Sequence, residues 1–283
     1  MLSSGERRPA RSTAMAARAR LRLGRARDMR HRKGAPGAQA QRRDRRTRIR
    51  ALGKAKAEIR DTQLLLDVSR IIGQEAHHAK NFIHLNKAMA KRYPKVAQYE
   101  EGAKVYFSKH AKDDSLKQLV GLTAGYETFT FLAGLIILDN YDQWLADSNA
   151  VMKAMWLWHQ VEEVEHGAVA FDVYQHLYGD DELYRKWMVV RALCHIAWET
   201  VKSYVHMARV EGWMSNPFKA ASAMGFCVKM LLKLLNNALP VFRGNYHPRH
   251  HPRVTTQQNE IQIAWRRYES KGGDVLAIDR EKM

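Results

Sequence analysis

W-L-W-H-Q-V-E-E-V-E-H-G-A-V-A-F-D-V-Y, residues 156 to 174, is the stretch whose reading decides the fold. Nothing in it breaks a helix; Gly167 is tolerated in the interior, and the next strong breaker is Gly179. At about 100° per residue, Met155, His159, Glu163, His166, Ala170 and Val173 fall within one narrow arc. Glu162 lies at the edge of that arc, whereas Glu165 and Asp172 point away. One face is therefore apolar at both ends and carries His159, Glu163 and His166 in its middle. Burying such groups unpaired costs roughly several kcal/mol, so they need a partner. A metal ion satisfies carboxylate and imidazole together.

Glu163 and His166 form a Glu-x-x-His pair, whose i, i+3 spacing lets both side chains reach one point. Bundles with a di-metal carboxylate centre use one such pair on each of two helices and a single Glu from each of two others. The second pair is present. From Leu64 to about Met89 the residues Leu64, Val68, Ile71, Ile72, Glu75, His78, Ala79, Phe82, Asn86 and Met89 share a helical face, with Glu75 and His78 in mid-stripe. Asp61 or Thr62 caps this helix, and Tyr93-Pro94 ends it. A lone Glu follows in L-V-G-L-T-A-G-Y-E-T-F-T-F-L-A-G-L-I-I-L, residues 119 to 138, where Glu127 is the only charge. That length suits a membrane span. A mid-span carboxylate is expensive in lipid, and a helix buried at the centre of a bundle is the preferred reading. Val120, Thr123, Glu127, Phe131, Gly134 and Leu138 share its interior face.

The composition bounds the rest. The chain has 283 residues, 46% hydrophobic, with seven prolines and no sustained strand-like alternation, which predicts an all-α protein. Its net charge of +18 is unevenly spread. Residues 1–50 hold 17 basic against 3 acidic residues, a net of +14, so the remainder is close to neutral at +4. Residues 1–48 are read as a basic, Arg-rich tail, expected to be disordered in isolation for want of apolar side chains, and residues 49–283 as the helical domain. Such a tail could contact nucleic acid through phosphates or lie on an anionic membrane, and Arg-rich, acid-poor composition also suits a transit peptide. No apolar core of a secretory signal occurs in it, and Cys194 and Cys227 form no close-spaced motif, so a reducing cytoplasm, with peripheral membrane contact as a variant, is the expected location.

Three later segments complete the pattern. Residues 95–114 read as a charged connection with a short helix. In the helix from Glu182 to about Glu211, the stripe Tyr184, Met188, Arg191, His195, Glu199, Lys202 and His206 reads as a solvated face. Asn216-Pro217 opens an apolar helix with spaced lysines, A-L-P-V-F-R-G-N-Y-H-P-R-H-H-P reads as a surface loop bearing His247, His250 and His251, and a short terminal helix follows.

Four strings occur in order: Q-E-A-H-H at 74–78, L-T-A-G-Y-E-T-F-T at 122–130, W-H-Q-V-E-E-V-E-H-G-A-V-A-F-D-V-Y at 158–174 and V-F-R-G-N-Y-H-P at 241–248. Together they resemble a bacterial ferritin-like family described as predicted metal-dependent hydrolases, over roughly residues 49 to 283. The resemblance implies a ferritin-like helical bundle with extra C-terminal helices and a two-metal centre ligated by Glu75, His78, Glu127, Glu163 and His166. Members usually carry a Gly-Glu near the start of the first helix that would add a fourth carboxylate; here the only acid between Asp28 and Glu58 is Asp44. They also often have a second His one turn past the first pair, where this chain has Phe82.

With oxygen and imidazole donors the candidate metals are iron, manganese and zinc, iron first. Two such ions polarise a bond and activate water, or activate O₂. Glu162 and His159 beside the ligands are candidates for orientation or proton transfer in catalysis. No Ser-His-Asp or Cys-His arrangement is evident, so hydrolysis of a small-molecule substrate would be metal-assisted. The alternatives are a di-iron oxidase or oxygenase, and a non-enzymatic metal-binding bundle whose tail meets an acidic partner. A homodimer is compatible with each.

Overall fold

The computed structural model describes residues 49–145, 148–255 and 259–274. The sequence expectations for residues 1–48 lie outside them. Every regular element among the described residues is helical, as the periodicity predicts. A short helical segment, 49–55, leads into α1 (Thr62–Ala90), whose N-cap Asp61 accepts a hydrogen bond from the Leu64 N–H at 2.7 Å. α2 (Lys95–Asp113) follows as a 19-residue helix, longer than its charged composition suggested. Its apolar positions Val96, Ala103 and Phe107 recur at helical spacing, and burying them is what holds the element together. α3 (Leu116–Asp139) starts in a capping box, Ser115 with Gln118. A single turn (Tyr141–Trp144) separates it from α4 (Ala150–Tyr178), capped by Asn149. α5 (Glu182–Val210) is capped by Asp181, α6 (Pro217–Ala238) by Asn216 with Pro217 in the first turn, and α7 (Glu260–Ser270) by Asn259.

α3 is the centre of the bundle. It packs most extensively on α4 and then on α5, while α1 lies against α4 and α2 connects α1 with α5. Among the described residues it is the one helix long and apolar enough to cross a membrane, yet 89% of its apolar window is buried by its neighbours. Two glycines allow the close approach. A Cβ on Gly125 would lie 2.7 Å from the Met188 carbonyl oxygen and 2.9 Å from Ala192 Cβ of α5. A Cβ on Gly167 of α4 would lie 2.7 Å from Phe131 Cβ of α3.

Two readings from sequence are corrected here. The α5 stripe from Tyr184 to His206 is not a solvated face. It is buried or half-buried, and its His195 ring stacks on Tyr106 of α2 with centroids 4.4 Å apart while Nδ1 shares a 2.6 Å hydrogen bond with Tyr126 OH of α3. These neighbours satisfy the polar atoms, so burial costs little. The side of α5 that does face solvent is apolar: Leu183, Trp187 and Trp198 are 80%, 61% and 66% exposed. The Pro/His loop is likewise part of the body in places. His251 is buried between Phe131 and Tyr246 and shares a 3.0 Å hydrogen bond with the Asn237 carbonyl, while His247 and Arg249 bind Asp172 on the outer side of α4.

Candidate metal centre

α1 and α4 turn their Glu-x-x-His pairs toward each other, and α3 closes the third side. Glu75, His78, Glu127, Glu163, His166 and His159 are all 0% exposed. One ligand atom from each of Glu75, His78, Glu163 and His166 lies within 4.8 Å of every other. In detail, Glu75 Oε1 is 3.2 Å from Nδ1 of both His78 and His166. Glu163 Oε1 is 3.2 Å from Nδ1 of both His78 and His159. Glu127 Oε2 stands at the margin, 4.0 Å from His166 Nδ1 and 3.1 Å from the Thr130 hydroxyl that donates to it. Donors about 2.0–2.1 Å from a tetrahedral ion are about 3.3 Å apart, so these separations match the edges of a coordination shell. Three carboxylates and three imidazoles with no protein sulfur among them form a donor set for iron, manganese or zinc.

The imidazoles are oriented from behind. His78 Nε2 lies 2.7 Å from Glu162 Oε2, and His166 Nε2 lies 3.1 Å from Gln74 Oε1. An oxygen behind each ring can accept from an Nε2–H, and Nδ1 of each ring faces the cluster. Glu162 was singled out from sequence, with His159, as a candidate for orientation or proton transfer. Gln74 was missed as a functional residue, although it sits one position before Glu75 in the quoted string; an amide carries no charge to draw attention on a helix face. Aromatic rings keep water out: Trp158 meets His78 edge-on at 4.8 Å, and Phe82 meets His159 at 4.9 Å.

Electrostatics follow from this packing. Burial alone would raise the Glu162 carboxyl, but the His78 hydrogen bond and the charges of His78, His166 and Arg266 outweigh it, and the net shift is downward. Burial alone would lower His166, yet its hydrogen bond with Glu75 and the charges of Glu163, Glu127 and Glu75 raise it. Positive charge is favoured at the centre of the cluster. Glu162, 8% exposed, is the carboxylate of the group nearest solvent.

Of the residues singled out from sequence, Glu75, His78, Glu163 and His166 converge, Glu127 borders them, His159 touches Glu163 and Glu162 touches His78. His195 and Glu199 on α5, and His247, His250 and His251, belong to other contacts. The fold and the site define a helical protein with a buried metal-ligand cluster. The family described as predicted metal-dependent hydrolase matches residues 46–252, and the chain belongs to that family. No curated protein and no solved structure gave a match.

Proposed function

We propose that this chain is a hydrolase of small-molecule substrates that holds two divalent metal ions, iron or manganese, among Glu75, His78, Glu127, Glu163 and His166. The observation that carries the reading is the convergence of four fully buried donors from two Glu-x-x-His pairs within 4.8 Å. Divalent ions in such a shell polarise a substrate oxygen and lower the pKa of water. The chain's own residues supply the rest. Glu162 and Gln74 each place an oxygen behind one of the two imidazoles, where it can accept from an Nε2–H. Glu162, whose Oε2 lies 2.7 Å from His78 Nε2, orients that ring and is the carboxylate of the group nearest solvent. Trp158 and Phe82 exclude bulk water and so strengthen each polar contact.

The test is metal analysis of protein purified without chelator, together with hydrolysis of a panel of model esters, amides and phosphoesters. The expected result is bound iron or manganese and a hydrolytic activity that chelator abolishes and metal restores. A folded chain that takes up no metal, or hydrolyses equally well after chelation, would overturn the reading.

A further inference from the structure

The donor contacts around the cluster form one continuous chain. In order they run Glu127 Oε2, His166 Nδ1, Glu75 Oε1, His78 Nδ1, Glu163 Oε1 and His159 Nδ1, with separations of 4.0, 3.2, 3.2, 3.2 and 3.2 Å. The last member lies outside the four-residue group, yet its ring nitrogen meets the same Glu163 oxygen that meets His78. Glu127 and His159 thus occupy opposite ends. Counted from its two ends, the chain offers two sets of three donors: Glu127, His166 and Glu75, then His78, Glu163 and His159. They join where Glu75 meets His78.

Resting on the proposed metal-dependent function, we infer that His159 is a metal ligand, completing with His78 and Glu163 the shell of one ion while Glu75, His166 and Glu127 hold the other. His159 has the properties a ligand needs. It is fully buried, one helical turn before Glu163 on the same face of α4, and clamped by ring contacts with Phe82, Trp156 and His78 at 4.9, 5.8 and 4.6 Å. Those contacts fix the ring with Nδ1 toward Glu163. The two shells then differ in kind. The His159 side holds two imidazoles and one carboxylate, and the Glu127 side two carboxylates and one imidazole. The more anionic Glu127 side should favour a harder, more highly charged ion.

The experiment is an anaerobic Mn(II) titration of the metal-stripped full chain, read by bound equivalents and by electron paramagnetic resonance. The parent is expected to bind two equivalents and to show a spin-coupled pair. His159→Ala should retain one tight equivalent with the spectrum of an isolated ion. It should lose the other by more than ~100-fold, beyond the loss typical of removing an outer-shell partner. His159→Gln, which refills the space, carries the same test if the alanine variant loses helical circular dichroism. A parent that binds no Mn(II) would overturn the metal reading itself. A parent with a single equivalent would overturn the two-shell division. Two coupled equivalents in both parent and variant, with unchanged affinity, would overturn only the role of His159.

Discussion

α4 and α6 are built on opposite plans. α4 carries two glutamates and two histidines on its buried side, whereas α6 turns Phe218, Val228, Leu232 and Leu235 outward, Phe218 being 84% exposed. In α6 the inward positions Ala223, Cys227, Leu234 and Ala238 are small or aliphatic, and the one polar residue buried with them, Asn237, donates to the Lys233 carbonyl of its own helix, so its burial depends on modest apolar contact. In α4 the interior polar groups are held by one another, by Glu75 and His78 of α1 and by Gln74. A hydrophobicity rule alone would assign both helices wrongly, because what places a polar group inside is whether partners meet it there.

Two phenylalanines give the widest contrast. Phe82 is fully buried against Trp156 and His159, so Phe82→Ala should cost about 3–5 kcal/mol in urea unfolding. Phe218→Ala should stay within about 0.5 kcal/mol. Equal costs would mean that the outer face of α6 is covered. Two glycines give a smaller contrast of opposite sign. Gly125→Ala drives a Cβ into the Met188 carbonyl, which a packed helix cannot withdraw, and should cost about 1–3 kcal/mol. Gly225 of α6 has nothing within 4 Å of an added Cβ, so Gly225→Ala should stabilise by about 0.4–1 kcal/mol. A stabilised Gly125→Ala variant would refute the close approach of α3 and α5.

Inside the cluster, Glu127→Gln should lower metal affinity at least ~10-fold, about 1.4 kcal/mol, with the helical circular dichroism unchanged. Unaltered metal binding would reduce Glu127 to a hydrogen-bonding partner of Thr130. The smallest effect concerns pH. Burial first, together with Lys202, His110 and Arg191, lowers the His195 pKa below its ordinary 6.5. The unfolded chain therefore takes up a proton that the folded chain refuses, so this contribution is present above pH 6.5 and is lost as the pH falls below it. The melting temperature of His195→Gln should fall less steeply than that of the parent between about pH 6.5 and 5. Parallel slopes would show that His195 is solvated after all.

His195 also shows where sequence reading failed. Its stripe contains Arg191 and Lys202, and charge on a helix usually marks solvent. Nothing local reveals that Tyr106 and Tyr126, from two other helices, supply a stacking surface and a hydroxyl. α2 was underestimated for the same reason, its three buried residues being too few to stand out among lysines. The α1, α3 and α4 faces were legible because each carries a long apolar stripe whose polar members interrupt it at helical spacing. His251 was missed because an isolated histidine in a loop has no periodicity to be read.

The sequence by itself determined that the described residues are helical, where α1 and α6 begin and α1 and α4 are broken, and that Glu75, His78, Glu127, Glu163 and His166 face inward. These follow from local hydrogen bonding and from a period that fixes the direction of a side chain to within one face. Tertiary structure alone decided which atoms meet. Glu75 and Glu163 come from helices distant in sequence; the 3.2 Å contacts Glu75–His78 and Glu163–His159 are local to one helix, and only the packed register sets the 3.2 Å contacts across, Glu75 to His166 and Glu163 to His78. Only the neighbours behind each ring, Glu162 for His78 and Gln74 for His166, select the nitrogen that faces the centre, because the two nitrogens of an imidazole are equivalent in sequence and distinct only in surroundings.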